Sequence, residues 1–402
     1  SHSNGIPENT STRMIKSPGE GSDSQTSVLS HLSMPEPNKE EEAIPVTAEQ
    51  LRALQKQGFP QGLARQVCTC KGTFPLRFWI VDNSGSMLTS DGHELRGSRK
   101  TGYMVVPCTR WAELKSTVSY HMELAALLQS TTTFRFLNDP GARAGPQELG
   151  IAQLNDGAEV VDELTVAQRV VQQVVPKGAT PLTYHLQEIR LRVEAMEEAL
   201  KECGQSVAII LATDGLPTNT YGDATEQVQL EFIDNLKALQ ALPVWIVVRL
   251  CTDDEAVVEF YNELDASLEL PLEVIDDHLG EAREIQKHNA WLNYATPLHR
   301  CREMGYHHRI FDLLDERLLN ADELREFLQL LFGHSAIEEF PDLYLDWKGF
   351  VSNLQALVAR QDNHYNPLAA KPTPWIDMKQ LEKSFGHLGK KGGGIFRRAR
   401  RK

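Results

Sequence analysis

The chain has 402 residues, a length that suggests two or three folded units, and 41% of them are hydrophobic, enough for at least one large core. Asp and Glu number 55 against 41 Lys and Arg, which gives a net charge of −14 and argues against general nucleic-acid binding. The longest apolar runs, 207–212 and 242–248, have the length of a strand, so no membrane-spanning helix is predicted.

The first 45 residues have the composition of a disordered arm. They contain nine Ser, five Pro and no Phe, Trp or Tyr. Such a segment cannot bury enough apolar surface to offset the entropy lost on ordering. The arm begins at Ser1 with neither an initiator Met nor the apolar stretch of a signal peptide, which indicates a fragment or a trimmed chain.

A short helical lead-in is predicted over residues 46–74. Thr47 and Gln50 have the spacing of a capping box, in which each side chain bonds the backbone N–H of the other residue. This pattern predicts a helix that ends near Gln57. Cys68 and Cys70 follow it, but no second cysteine pair lies at the spacing of a zinc site, so we expect both to be structural.

Strand-sized apolar runs alternate with amphipathic helices between residues 75 and 278. Near-continuous apolar strands separated by helices are typical of a mostly parallel sheet that is covered on both faces. We therefore predict an α/β fold with a doubly wound, mostly parallel, Rossmann-like sheet. The predicted strands are 76–81, 134–137, 207–212, 244–250 and 272–275, and the predicted helices are 109–128, 182–200, 224–239 and 253–264.

Residues 279–388 are predicted to form a helical C-terminal region. Asn320 and Glu323 have the spacing of a second capping box, and Gly333 is a helix stop. The pattern fits either a small separate domain or an extension packed on the sheet, and the sequence leaves both open. The predicted helices are 280–292, 310–319, 321–332 and 349–360.

Residues 389–402 are predicted to form a basic, flexible tail. From Lys390 onward it carries seven basic residues and no acidic one. Such a cluster is typical of a nuclear-import signal or of a patch for anionic membrane or nucleic acid, and a simple solvated tail is equally compatible.

Oxygen-bearing side chains follow the first predicted strand at alternating positions: Asp82, Ser84 and Ser86. In an open α/β sheet, ligands bind in the crevice beyond the carboxyl ends of the strands. A carboxylate and two hydroxyls are hard ligands that suit Mg²⁺ or Mn²⁺. The pattern alone is weak evidence, since a serine-capped turn has the same residues.

Two later residues strengthen the prediction of a metal site. Thr180 lies in the loop before a long helix, and Asp214 directly follows the buried strand 207–212 and Thr213. Both positions fall at the same edge of a parallel sheet as Asp82, so the five side chains can converge on one point.

This arrangement resembles the von Willebrand factor type A (VWA) domain with its metal-ion-dependent adhesion site. That family's motif is Asp-x-Ser-x-Ser, then a distal Thr, then an Asp after a later strand. All five positions are met in order, and the segments 110–115 (RWAELK) and 211–215 (LATDG) add to the likeness, which covers about residues 75–278.

The resemblance implies that Ser84, Ser86 and Thr180 ligate Mg²⁺ or Mn²⁺ directly, and that Asp82 and Asp214 help directly or through water. It implies that the remaining position takes water or a carboxylate from a protein partner. The expected function is therefore a metal-dependent protein-binding module, an adaptor or scaffold and not an enzyme.

Two other functions remain open at this stage. A metal-dependent hydrolase could use the same ion to activate water, with Glu94 in the insertion 88–108 as the general base. A purely structural domain could leave the site unused. The insertion itself departs from the compact form of the family and is either a specificity loop or a tolerated surface insertion. Motifs of the common nucleotide-binding, phosphatase, esterase and zinc-protease sites are missing from the sequence.

Cysteine usage bears on the cellular compartment. Six scattered cysteines in a chain of this length do not form a disulfide framework, and they fit a reducing compartment. We expect a cytoplasmic protein that could enter the nucleus through its basic tail. The oligomeric state and the identity of the partner are not encoded in any motif.

Overall fold

A computed structural model describes residues 45–98, 102–153, 157–268 and 271–388. The predicted arm 1–45, apart from its last residue, and the basic tail 389–402 lie outside the described residues. So does the tip of the insertion, residues 99–101.

The described chain alternates strands and helices as far as residue 275 and is mainly helical beyond it. The strands are β1 (Leu76–Val81), β2 (Gly92–Ser98), β3 (Gly102–Cys108), β4 (Thr131–Phe136), β5 (Glu148–Ile151), β6 (Val207–Thr213), β7 (Val244–Leu250), β8 (Leu272–Ile275), β9 (His364–Asn366) and β10 (Lys371–Thr373). The helices are α1 (Ala48–Lys56), α2 (Gln61–Thr69), α3 (Arg110–Leu128), α4 (Gly157–Gln173), α5 (Leu182–Glu194), α6 (Glu197–Glu202), α7 (Glu226–Leu239), α8 (Glu255–Ser267), α9 (His278–His288), α10 (Thr296–Glu303), α11 (Arg309–Glu316), α12 (Ala321–Phe332), α13 (His334–Ile337), α14 (Trp347–Val358) and α15 (Met378–Phe385). Among these helices, none is long and apolar enough to cross a membrane.

The central sheet has the order β5-β4-β1-β6-β7-β8 within the described chain. Every neighbouring pair is parallel except β4 and β5. The remaining strands form two-stranded hairpins, β2–β3 and β9–β10. If the six strands of this sheet are numbered 1 to 6 along the chain, leaving out the hairpin β2–β3, their order is 3-2-1-4-5-6, the order of a doubly wound fold. The switch point of such a sheet lies between strands 1 and 4, which are β1 and β6 here. The predicted fold class is confirmed.

Helices cover both faces of this sheet. On β1, Trp79 and Val81 belong to a core that also contains Leu114 of α3 and Leu298 of α10. Phe78 points to the opposite face, where the guanidinium of Arg192 in α5 lies 5.8 Å from its ring centre. Both strands at the switch point, β1 and β6, are buried along their whole length.

The C-terminal helices share the core of the sheet. Trp291 and Trp375 are fully buried in it, and the backbone N–H of Asn293 donates to the Trp375 carbonyl at 2.9 Å. Helix α2 of the lead-in packs on α12 at Gly62, where a Cβ atom would lie 2.3 Å from the Gly333 nitrogen. The region 279–388 is thus an extension packed on the sheet domain. This decides between the two arrangements that the sequence left open.

Most element ends follow local capping chemistry. The capping boxes of Thr47 with Gln50 and of Asn320 with Glu323 are both formed, and Gly333 ends α12 with φ 103°. Helices α7 and α8 begin two residues later than predicted because Thr225 and Asp254 are their N-caps.

The structure differs from the sequence prediction at several elements. The helix predicted over 182–200 is broken, because Met196 has φ −112° and ψ 0° and separates α5 from α6. The elements that were not predicted include strands β5, β9 and β10 and helices α2, α4, α10, α13 and α15. Only Leu149 and Ile151 of β5 are buried, and four residues are too few for a clear alternation. The insertion 88–108 contains the hairpin β2–β3.

A buried ion network joins the sheet, α3 and α10. The Glu303 carboxylate is fully buried and accepts from Arg300 at 2.7 Å and from the His121 ring at 3.1 Å. Arg249, near the end of β7, contacts Glu303 at 3.4 Å and donates to Glu113 of α3 at 2.6 Å. Burial opposes ionisation, yet Arg300 and His299 hold the pKa of Glu303 well below its usual value.

His185 at the opposite face is fixed in its neutral form. Arg135 donates to its Nδ1 at 2.8 Å, and its Nε2 lies 2.9 Å from the Leu137 carbonyl, so Nδ1 accepts and Nε2 carries the proton. Burial, and then the charge of Arg135, lower the pKa of His185 to about 4. The unfolded chain therefore binds a proton near pH 6.5 that the folded chain binds only near pH 4.

We expect acid to destabilise the protein partly through His185. The contribution of His185 to the free energy of unfolding is complete above pH 6.5 and is lost as the pH falls towards 4. Between pH 7.5 and 5, the free energy of unfolding of the wild type should therefore fall by about 2 kcal/mol more than that of His185→Gln. Urea unfolding at the two pH values measures this difference. The exposed His288→Gln variant is the control and should lose as much as the wild type. Equal losses in all three proteins would contradict the assignment.

Candidate functional site

Asp82 anchors the site at the carboxyl end of β1. Its backbone N–H continues the pairing with β6 by donating to the Ala212 carbonyl at 2.9 Å. Its carboxylate is fully buried and accepts from the Ser84 N–H at 2.8 Å and from the Thr213 hydroxyl at 2.7 Å. Burial, followed by the charge of Asp214, raises the pKa of Asp82 to about 6. The side chain therefore ties the loop after β1 to the end of β6.

The two serines link this anchor to Asp214. The hydroxyl oxygens of Ser84 and Ser86 lie 2.9 Å apart, and the Ser86 hydroxyl donates to Asp214 Oδ1 at 2.8 Å. Asp214 directly follows β6 and its side chain is buried. The four residues predicted from the ends of these two strands thus form one connected polar cluster.

Thr180 reaches the same place from the loop before α5. The Gly85 N–H donates to the Gly178 carbonyl at 3.1 Å, which holds this loop against the serine loop. The Thr180 N–H donates to the Thr218 hydroxyl at 2.9 Å, and the Thr218 N–H donates to the Thr180 carbonyl at 3.0 Å. A Cβ atom on Gly215 would lie 3.7 Å from Thr180 Oγ1, so the Thr180 side chain lies beside the residue that follows Asp214.

Four of the five predicted residues, Asp82, Ser84, Ser86 and Asp214, are hydrogen-bonded in one chain at the switch point of the sheet, and the Thr180 side chain lies next to Gly215 beside them. The chemistry of these side chains fits a hard divalent cation. They supply three hydroxyls and two carboxylates, the oxygen ligands that Mg²⁺ and Mn²⁺ prefer. Within the described ranges, the backbone of Thr180 is bonded on both sides while its hydroxyl has no hydrogen-bond partner. The same ranges hold no group of three or more His, Cys, Asp and Glu suited to a metal ion; this cluster has only two carboxylates.

Sequence reasoning missed one residue of the cluster, Arg110. This first residue of α3 donates through Nη1 to Asp214 Oδ2 at 3.0 Å. Its Nε and Nη2 donate to the two oxygens of Asp91 at 2.7 and 2.6 Å. A basic residue in the first turn of a helix opposes the helix dipole. That mismatch was the available signal that Arg110 has specific acidic partners.

The insertion stands beside the cluster as the hairpin β2–β3. Its base is held by the Asp91–Arg110 pair and by the His93 N–H, which donates to Glu113 at 2.9 Å. Gly92 lies so close to α3 that a Cβ atom there would be 2.8 Å from the Thr109 carbonyl. Glu94, the base considered for a hydrolase, lies in β2 and is paired with Arg96 at 2.8 Å.

Comparisons with known proteins find structural likenesses and no match in sequence. No protein-family model matches the chain, and no curated protein matches it in sequence. Among solved structures it is similar to the SpRpn10 VWA domain, with 11% identity and a TM-score of 0.32 over 50% of this chain and 86% of that chain. It is also similar to the TFIIH p34 N-terminal domain, with 9% identity and a TM-score of 0.30 over 51% and 92% of the two chains. The fold assignment rests on the strand order and connections described above.

Metal binding should stabilise the folded chain. A ligand that binds only the native state at a hundred times its Kd adds about 2.7 kcal/mol, which corresponds to a rise of a few degrees in Tm for a domain of this size. We expect this rise with Mg²⁺ or Mn²⁺ in a thermal melt of the wild type. Thr180→Val should melt like the wild type in EDTA, because the lost hydroxyl has no partner there, and should lose most of the metal-dependent rise.

Ser119→Ala is the matched control. Its buried hydroxyl likewise has no hydrogen-bond partner in the described chain, but it lies on α3 outside the cluster. This variant should keep the full metal-dependent rise. A wild type whose Tm does not respond to either ion would contradict the metal-site assignment.

Proposed function

We propose that the chain is a VWA-type protein-binding module in which Asp82, Ser84, Ser86, Thr180 and Asp214 hold Mg²⁺ or Mn²⁺ and capture an acidic side chain of a protein partner. The observation that carries the proposal is the connected cluster of two carboxylates and two serine hydroxyls at the switch point, with Thr180 beside it and its hydroxyl without a hydrogen-bond partner among the described residues.

Some of these residues would bind the ion, and others would hold the binding residues in position. The hydroxyls of Ser84, Ser86 and Thr180 would face the ion, while Asp82 and Asp214 fix the serine loop through the Ser84 N–H and the Ser86 hydroxyl. A bound ion would supply an electrophilic position for a carboxylate. Because the hydroxyls are neutral, only two carboxylates offset its double charge, and one of them, Asp214, is shared with Arg110. This charge balance favours an anionic partner group.

The runner-up function is a hydrolase in which the same ion activates water. It requires a general base within reach of the ion. Glu94 is engaged by Arg96 on its own strand, and its neighbour His93 is bound to α3 through its backbone. These contacts support binding over hydrolysis.

We also propose an intracellular location, cytoplasmic or nuclear. All six cysteines lie in the described part of the chain and none of them forms a disulfide, which fits a reducing compartment. Contact of the basic tail with nucleic acid or an import receptor stays a prediction from its sequence.

Partner capture should depend on both the metal and a carboxylate. Immobilised protein is panned against a random peptide library in Mg²⁺, and bound peptides are released with EDTA. We expect the released peptides to be enriched in Asp or Glu, and each to lose binding when that residue becomes Asn or Gln. Thr180→Val should release few peptides, and Ser119→Ala should behave like the wild type. Peptides without acidic enrichment would refute capture of a carboxylate.

Catalysis is tested separately with the purified chain. We expect no Mg²⁺-dependent turnover of phosphoester, ester or peptide substrates, because the candidate base Glu94 is paired with Arg96. The measurement compares the wild type with Asp82→Ala and Glu94→Gln. Turnover that both substitutions abolish would make the hydrolase the better assignment.

A further inference from the structure

Arg110 is shared between the candidate metal site and the base of the hairpin β2–β3. Its guanidinium donates two hydrogen bonds to Asp91 and one to Asp214, and its side chain is only 12% exposed. One positive charge thus faces two carboxylates that belong to different parts of the fold. Asp91 lies immediately before β2, and Asp214 immediately after β6.

A guanidinium at this position must oppose a cation at the cluster. Asp214 is one of the two carboxylates available to the ion, and Arg110 engages its Oδ2 at 3.0 Å while Ser86 engages its Oδ1. A fixed positive charge a few ångströms from a second cation lowers that cation's affinity by Coulomb repulsion, strongly so in a partly buried site. Arg110 also competes with the ion for the same oxygen atom.

Asp91 determines how strongly Arg110 competes. It takes the guanidinium in the two-bond, fork-to-carboxylate geometry, the stronger mode of pairing. Arg110 can therefore give up Asp214 and still keep both bonds to Asp91, so the exchange leaves no buried guanidinium unpaired. Without Asp91, the Arg110 guanidinium would pair with Asp214 alone and would compete more strongly with the ion.

We propose that Arg110 is a built-in competitor of the metal ion and that Asp91, at the base of the hairpin, sets the strength of this competition. The proposal rests on the proposed function, since it concerns the regulation of that same metal site. It gives the insertion a role: a movement of the hairpin base that loosens the Asp91–Arg110 pair lowers the metal affinity. Linkage requires the converse, so metal binding tightens the hairpin base.

The test is a titration of the full chain with Mn²⁺, in which the concentration of free Mn²⁺ is measured from its electron paramagnetic resonance signal. We expect Arg110→Gln to bind Mn²⁺ about tenfold more tightly than the wild type, and Asp91→Asn to bind it several-fold more weakly. The decisive protein is the double variant. If Asp91 acts through Arg110, then Asp91→Asn has little effect in the Arg110→Gln background.

Arg135→Gln is the matched control, because Arg135 is an equally buried arginine that pairs with Glu148 at 2.8 Å on the β4–β5 edge. It should leave the Mn²⁺ affinity unchanged. Melting curves in EDTA establish that each variant is folded. Two results would overturn this proposal and leave the metal site standing, provided that the wild type binds Mn²⁺. One is weaker or unchanged Mn²⁺ binding by Arg110→Gln, and the other is an equal effect of Asp91→Asn in both backgrounds. Absence of Mn²⁺ binding in every variant would overturn it together with the metal site.

Discussion

The buried carboxylate of Asp82 is the constraint on which the candidate site depends. It lies where β1 and β6 part at the switch point, and it bonds the loop that follows one strand and the last residue of the other. Placing a carboxylate there is costly unless each oxygen has a donor. The Ser84 N–H and the Thr213 hydroxyl provide these donors, and in doing so they fix the serine loop and the start of the Asp214 loop in a single arrangement.

A second constraint is the balance of charge near this anchor. Asp214 stands close enough to Asp82 for its charge to add to the effect of burial in raising the pKa of Asp82. The described chain offsets this repulsion with Arg110, which in turn needs Asp91 because Asp214 alone leaves most of its donors unused. The hairpin insertion is therefore part of the electrostatics of the site, although none of its residues belongs to the five-residue motif.

The sequence predicted what depends on local pattern. The five parallel strands, the two capping boxes and the placing of Asp82, Ser84, Ser86 and Asp214 at one edge of the sheet all follow from periodicity, spacing and position at a strand end. It could not identify Asp214 as a partner of Arg110, because a long side chain finds its partners through the fold and Asp214 lies 104 residues away. It also misread α3. The stripe Glu113, Thr117 and His121 resembles a solvated face, yet each of the three is bonded to a residue of β7 or α10.

This polar stripe connects the C-terminal region to the site. Residues at i, i+4 and i+8 lie on one face of a helix, so Glu113, Thr117 and His121 meet Arg249, Arg300 and Glu303 along two turns of α3. Buried ion pairs contribute little net stability, but they tolerate only one register, since a shift leaves charges unpaired. The network thus fixes the position of α3 along its axis. Arg110 begins that helix, one turn before Glu113, and its 3.0 Å contact with Asp214 depends on the same register. Helix α10, which lies outside the candidate metal site, therefore helps to hold Arg110 in its position facing that site.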